Sequence, residues 1–535
     1  MAGGERGAAK NRGPEQELEL QDAPNAHRSP KWERQASRCS RARWCDPRLT
    51  RLTSRRVAAT IDTMLKLDSD LDAYLAENAE VRLESLFELL RIPSISTLPE
   101  HAPDVRRAAE WIVAELTRIG LEHAEVSETS GHPIVYADWL HAEGAPTILV
   151  YCHYDVQPVD PIELWETAPF EPFVRDGRVV GRGSADDKGQ LHMHLKAAEA
   201  MIATRGRLPL NLKFMFEGDE EHSSVGLSEW LEGNRQRLGA DAVIISDTGF
   251  FEGNLPALTT SLRGMLYTQI DVTGPPIDLH SGGFGGAVQN PANALARIIT
   301  ELKAPDGRVL VPGFYDDVVD PSAQERFEIS CLPFDEEDYR RETGVPELVA
   351  GEPGYSLLEC RGIRPTLDVN GIWGGFTGEG SKTIIPAHAH AKVSSRLVPD
   401  QDGDALFKRF RDYVLQIAPK GVTVEVQNLG TAKPMRTEVE HPVAKAALRA
   451  LESTFGKPPL LIRAGGSIPV ASMLDTMLGL PVVMLGFANN DCNAHAPNET
   501  MVLLNYETGL RTITTLWDDL GAMSLQGARM GGTTT

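Results

Sequence analysis

Apolar positions along this chain change rhythm twice. From Met64 to about residue 257, stretches with helical spacing alternate with short, uninterrupted apolar runs. KLDSDLDAYLAENAEVRLESLFELLRIPSI and HAPDVRRAAEWIVAELTRIG read as amphipathic helices, and Leu191, Leu195, Ala198 and Ile202 mark the apolar face of another that ends near Gly206. Between them, TILVYCHYD, LNLKFMF and DAVIISD read as buried strands. Short buried strands alternating with helices predict an α/β layer around a largely parallel sheet. From about residue 258 the period shortens to two, and SLRGMLYTQIDVTG, HAHAKVSSRLVP and GVTVEVQNL alternate as antiparallel strands do. That texture predicts an inserted α+β domain over 258–432. Helix and strand then resume in VEHPVAKAALRALESTF and LPVVMLGF. The predicted organisation is a two-domain α/β protein, its first domain split into 64–257 and 433–535, with no internal repeat.

Residues 1–63 have no such rhythm. They are rich in Arg, Gly, Ala and Pro and are expected to be disordered. They hold 13 Lys+Arg against 8 Asp+Glu, a net of +5, so the rest of the chain carries −27 of the total −22. An acidic body of that size repels nucleic acid and argues against it as a partner. For the tail itself two readings stay open: a basic arm, or an over-long start with Met64 as the true first residue. A transit peptide fits poorly, because EQELELQD is acidic.

The length of 535 residues suits two domains, and 41% hydrophobic with 24% charged content is that of a soluble globular protein. No apolar run is long enough for a membrane-spanning helix, and no secretory signal is visible, so no membrane partner is expected. The six cysteines, Cys39, Cys45, Cys152, Cys331, Cys360 and Cys492, form no CxxC pair and read as reduced thiols of a cytoplasmic protein.

The chemistry starts from FEGDEEHSS at 216–224, where Glu217, Asp219, Glu220 and Glu221 crowd the end of an apolar strand. Functional groups in open α/β sheets gather past the carboxyl ends of strands. TILVYC leads into His153 and Asp155, LKFMF into Glu220 and Glu221, and AVIIS into Asp247. GRGSADDKGQ sets Asp186 and Asp187 at a helix start, and LGFANNDCNAHAPNE brings in His495. Taken singly, each motif has a plain reading: an N-cap, a solvated acidic turn, a structural histidine. Taken together, clustered carboxylates would repel one another and raise their pKa values unless cations neutralise them. Imidazole and carboxylate without thiolate suits zinc, with manganese or cobalt as alternatives.

HYDVQP, WETAPFEP, GRGSADDKG, EGDEEHSS, ISDT, DLHSGGFGG, SSRLVPD, RAGGSIPV and NAHAPNE, in this order, resemble the co-catalytic zinc metallopeptidases, whose members include carnosinases, cytosolic nonspecific dipeptidase, aminoacylase and carboxypeptidase G. DLHSGGFGG, LRG and GGSIP are most similar to the carnosinase-like dipeptidases. The resemblance runs from about residue 64 to the end and is loose only over 310–360, a region that it leaves as a candidate for shaping specificity.

The resemblance implies two divalent ions per subunit, one held by His153 and Asp247, the other by Glu221 and His495, with Asp186 bridging and the Asp186–Asp187 peptide cis. It implies that Asp155 orients His153, that Glu220 is the general base, and that His280 reaches the neighbouring subunit's site in a homodimer built through the inserted, lid-like domain. Arg396, Thr383, Gly466 and Ser467 match the positions that bind the substrate's carboxylate end. Because neighbours on an extended chain face opposite ways, Glu220 and Glu221 are expected to take different tasks. The implied activity is hydrolysis of the amide bond of a dipeptide or similar small peptide by activated water. An N-acyl-amino-acid amidohydrolase of the aminoacylase or desuccinylase type is the alternative. A catalytically silent binding protein on the same scaffold would have lost a ligand or the base, and none is missing. His192 and His194, two apart on a helix, project apart and cannot chelate one ion. His388 and His390 share one face of a strand but match no ligand of the family, and GGFGG lacks the GK[ST] of a phosphate loop.

Overall fold

The structure, a computed structural model, describes residues 69–349 and 351–523. The expected tail 1–63, the Met64 start, Cys39 and Cys45 lie outside the described residues.

Among these, the larger sheet runs β1 (Glu122–Ser127), β2 (Ile134–Trp139), β6 (Asn211–Glu217), β3 (Thr147–His153), β7 (Ala242–Ile245), β17 (Val482–Met484), β8 (Ala257–Leu262) and β15 (Met435–Arg436), with β16 (Leu460–Ala464) also paired to β8. The run β6-β3-β7-β17 is parallel and the outer pairs β1-β2, β2-β6, β17-β8 and β8-β15 are antiparallel. Alternation along β3 divides two cores. Ile148, Val150 and Cys152 enter one, and Leu149 and Tyr151 the other, so both faces of the sheet are covered.

A second sheet, in the order β11 (Thr366–Gly374), β13 (His388–Leu397), β9 (Gly264–Thr273), β14 (Thr423–Ala432), is wholly antiparallel. One face buries Leu266, Ile270, Ala391 and Val393 against the helices Pro291–Leu302 and Gly403–Ile417, forming a separate core. SLRGMLYTQIDVTG, read as one strand, is two. Ala257–Leu262 belongs to the larger sheet, and the antiparallel sheet begins at Gly264, after Arg263. Two small sheets complete the set, β10 (Leu279–His280) with β12 (Ile384–Ile385), and β18 (Thr500–Val502), β5 (Arg178–Val180) and β4 (Phe173–Arg175). No helix among the described residues is long and apolar enough to cross a membrane.

Two expected helices differ in detail. The first is a pair, Ser69–Glu77 and Ala79–Leu90, parted at Asn78. The helix Lys188–Arg205 is buried almost all round rather than amphipathic, because it lies in the core between the sheet and the helix Leu503–Gly521. Several of its polar groups reach distant partners. His192 lies between Tyr506 Oη at 2.7 Å and Ser85 Oγ at 3.1 Å, and His194 Nε2 is 2.8 Å from Ser246 Oγ. These two histidines therefore serve separate neighbours, as their spacing predicts.

Candidate metal centre and active site

The parallel run sets the site. His153 is the last residue of β3, Asp247 lies two past β7, and Glu220 and Glu221 follow β6 across one glycine and Asp219. All three strands point the same way, so their carboxyl ends deliver these groups to one edge. Asp186 precedes the helix Lys188–Arg205, and His495 sits in the loop after β17. The Asp186–Asp187 peptide is cis.

Two trios result, and they share one residue. His153, Asp186 and Asp247 form the first, and Asp186, Glu221 and His495 the second, with the ligand-type atoms of each trio within 4.8 Å of one another. His153 Nε2 is 3.0 Å from Asp186 Oδ1 and 3.7 Å from Asp247 Oδ1. His495 Nε2 is 3.0 Å from Asp186 Oδ2 and 3.3 Å from Glu221 Oε1. Asp186 thus turns one oxygen to each imidazole. Donors bound to a common zinc at about 2.0–2.2 Å stand roughly 3–4 Å apart, so both trios fit a divalent cation in spacing and in donor type.

The electrostatics agree. Burial pushes Glu220 well above the usual carboxylate range, with Asp247 adding repulsion. Burial raises Asp247 to about 6, against the lowering hydrogen bond with His153. Burial disfavours a charged His153, yet hydrogen bonds to Asp155, Asp186 and Asp247 hold it well above normal. Asp186 then Glu221 lift His495 to about 10. Without cations, the imidazoles must carry the positive charge that the carboxylates demand. Bound cations would supply it instead and free both imidazoles to ligate as neutral groups.

The supporting layer is denser than the motifs suggest. His153 Nδ1 is 3.1 Å from the Asp155 backbone oxygen and 3.3 Å from its Oδ1, which leaves Nε2 for the site. The Asp155 carboxylate also accepts from the backbone N–H of Glu220 at 3.2 Å and of Glu221 at 3.0 Å. That pair lies in a 3-10 turn, Glu220–His222, not on extended chain. The two side chains diverge because a 3-10 turn rotates about 120° per residue. Gln157 Nε2 donates to Glu221 Oε2 at 2.6 Å. Asp187 opens its helix but does not cap it, since its Oδ2 instead accepts from His153 N at 3.1 Å.

Glu499 escaped the sequence reading except as a letter in NAHAPNE. It is fully buried and accepts from Ala185 N and Gly183 N at 2.9 Å, Asp186 N at 3.0 Å and Arg182 Nη1 at 2.8 Å. It ties the loop of His495 to the loop of Asp186. The only signal available was a carboxylate close behind His495.

The residues expected on the substrate side fall into two groups. Arg396 Nη1 donates to Ser467 Oγ at 2.9 Å, and Ser467 Oγ donates to the Arg263 backbone oxygen, so Arg396, Ser467 and the adjacent Gly466 stand together. His280 and Thr383 stand together elsewhere, where Ser281 N donates to Thr383 O at 3.1 Å beside the β10-β12 pair. Both are exposed, and among the described residues no hydrogen bond or ion pair joins them to the carboxylate–imidazole cluster. His388 and His390 have ring centroids 6.2 Å apart, and His390 Nδ1 is taken by Asp271 Oδ1 at 2.5 Å.

Residues 149–519 match peptidase family M20/M25/M40. The Cys-Gly metallodipeptidase dug1 of Schizosaccharomyces pombe is 32% identical over 454 residues, covering 82% of this chain and 95% of its own. Human Beta-Ala-His dipeptidase is 32% identical over 385 residues, 71% of this chain and 76% of its own. The crystal structure of human carnosine dipeptidase 1 superposes with a TM-score of 0.74 at 28% identity, covering 88% of this chain and 99% of that one. The M20 family metallo-carboxypeptidase Sso-CP2 of Sulfolobus solfataricus gives 0.76 at 33% identity, over 83% and 99%. The chain belongs to peptidase family M20/M25/M40, on the carnosinase and Cys-Gly dipeptidase side of it.

Proposed function

We propose that this M20-family chain is a metal-dependent dipeptidase that holds two divalent ions, zinc first among them, in the paired trios. The observation that carries the reading is Asp186 with one oxygen toward His153 and the other toward His495. His153 and Asp247 would hold one ion, Glu221 and His495 the other, and Asp186 would bridge them. Bound there, such ions supply Lewis acidity and lower the pKa of water from about 15.7 toward about 7.

The chain's own groups do the rest. Glu220, which ligates neither ion in this reading and has a carboxyl held above its usual range by burial, takes a proton from the attacking water and returns it to the leaving amine. Asp155 positions both halves of this arrangement, the His153 ring and the turn that carries Glu220. Arg396 offers a guanidinium fork to the substrate's carboxylate, with Ser467, Gly466 and Thr383 as further partners. His280 accepts from Gly283 N at 3.2 Å through Nδ1, which leaves its Nε2–H as a donor for the developing oxyanion.

His280 acts on a neighbouring subunit's site, and the inserted domain, expected at 258–432 with its antiparallel sheet from Gly264 to Ala432, forms the dimer and the lid. Support comes from the edge strand β11 and the turn after it, which expose Ile372, Trp373 and Phe376 by 63%, 42% and 43%. The thiols of Cys152, Cys360 and Cys492, none in a disulfide, suit a reducing compartment such as the cytoplasm.

The test sets free-amino dipeptides beside N-acetyl amino acids, with Zn²⁺ or Mn²⁺ added and again with a chelator. Chelator-sensitive cleavage of the dipeptides is expected. Cleavage of the acylated compounds alone would move the chain to the amidohydrolase reading, and cleavage of neither would leave the scaffold without its proposed reaction.

A further inference from the structure

A cavity of about 410 Å³ opens beside the metal centre, and its lining includes both Asp247 and Ser467. That volume is within the range of small-molecule sites, about 300–1,000 Å³. The two residues fix what the cavity faces, given the proposed dipeptidase function on which this inference rests. Asp247 belongs to the trio beside which the scissile amide lies, and Ser467 is bonded to Arg396, which takes the carboxylate. In a dipeptide, the amide nitrogen and the terminal carboxylate carbon are joined to a single Cα. The substituent that projects between those two anchors is the side chain of the C-terminal residue.

The walls say what kind of side chain fits. Phe250, Phe251, Leu262, Ile329, Leu332 and Leu358 line the cavity. Its charged residues are already engaged. Arg361 pairs with Glu252 at 3.3 Å and lies over the Tyr339 ring at 4.4 Å, and Arg463 pairs with Glu325 at 3.3 Å. A charged side chain entering here would lose its hydration and find no free counter-charge. An apolar one would exchange water for hydrocarbon contact. Ile329 comes from the helix Ala323–Ser330, Leu332 follows it, and Leu358 comes from the helix Leu357–Gly362. All three lie in the 310–360 region, where the sequence resemblance is loosest. We propose that this cavity is the subsite for the C-terminal side chain and selects dipeptides ending in a bulky apolar residue, such as Leu or Phe, over those ending in Gly, Asp or Lys.

The test measures kcat/KM of the metal-loaded enzyme for Ala-Gly, Ala-Leu, Ala-Phe, Ala-Asp and Ala-Lys. Ala-Leu and Ala-Phe are expected to exceed Ala-Gly by about tenfold or more, and Ala-Asp and Ala-Lys not to exceed it. Leu332→Trp and Leu358→Trp, which fill the cavity from two sides, should each bring the Ala-Phe to Ala-Gly ratio down toward one. That ratio is internal to each variant, so a partial folding loss cancels from it. A flat series in the wild type, or a ratio unmoved by both fillings, overturns the subsite while cleavage of Ala-Gly leaves the dipeptidase function standing. Failure to cleave any of the five overturns that function and the subsite with it.

Discussion

His153 and His280 are proposed to act on the same amide bond, yet the protein holds them in opposite ways. His153 is fully buried at the end of a central strand, its Nδ1 turned to Asp155 and its Nε2 to Asp186. His280 is exposed on a two-residue strand, and its ring accepts one hydrogen bond, from Gly283 of its own loop. The first geometry is determined by packing inside one chain. The second has no support from the metal-site side of this chain, which is what a group acting in a second subunit's site requires. A residue held by its own fold loses both structure and activity when its supports go. A residue delivered across an interface can lose activity alone.

The largest expected effect tests the buried side of this contrast. Glu220→Gln keeps the shape and removes the base, so kcat should fall by about 10³–10⁴-fold while two metal ions per subunit remain bound. Rates within tenfold of wild type would remove Glu220 from the role. Loss of metal along with activity would make it a ligand instead.

Next comes the exposed side. His280→Ala should lower kcat by about 10²–10³-fold, the effect of removing one oxyanion donor, and leave thermal stability unchanged within about 0.5 kcal/mol. The decisive measurement mixes the two inactive variants. If His280 crosses the interface of a twofold dimer, a redistributed equal mixture of His280→Ala and Glu220→Gln has half its dimers mixed, each with one intact site, and should recover about a quarter of wild-type activity. No recovery, with subunit exchange verified, would place His280 in its own subunit's site and break the comparison.

The difference between the two regions also explains what was legible beforehand. His153, Glu221, Asp247 and Asp186 could be located because each follows an apolar run or opens a helix, so local pattern and chemistry coincide at one point in the sequence. The antiparallel texture of the second sheet is visible for the same reason, though SLRGMLYTQIDVTG reads as one strand because Leu262 and Gly264 continue a single alternation across Arg263. Contacts between remote segments leave no such trace. The amphipathic reading of Lys188–Arg205 failed because His192, His194 and Lys196 look solvent-facing until Tyr506, Ser246 and Glu115 are folded against them. Glu499 failed likewise, since the four donors that it satisfies lie more than three hundred residues earlier.

Glu499 gives the intermediate case, buried support without direct contact with substrate. Glu499→Gln turns an amide N–H₂ toward donors that now meet a carboxylate, loosening the backbone that carries Asp186. Metal affinity, read by competition with a chelating dye, should fall about 10–100-fold, with a smaller change in kcat at saturating metal. In the chelated protein, Glu499→Ala should lower stability by about 3–5 kcal/mol, because Arg182, 1% exposed, is left as an uncompensated buried cation. Wild-type metal affinity in the Gln variant would show that Asp186 is held without Glu499.

The smallest expected effect is a control on the exposed sheet. His388 lies on β13 next to His390, and a pair of histidines on one strand face invites a reading as a third metal site. Its Nδ1 stands 3.2 Å from Thr273 Oγ1, and the neighbouring His390 is already engaged by Asp271. Among the described residues, neither histidine belongs to a trio of ligand-type atoms within 4.8 Å of one another. His388→Ala should therefore change neither bound zinc nor kcat/KM, and stability by no more than about 0.5 kcal/mol. A drop in bound zinc would mean that exposed histidines on the antiparallel sheet can hold metal without a buried frame, and the contrast between the two regions would then lie in their partners rather than in burial.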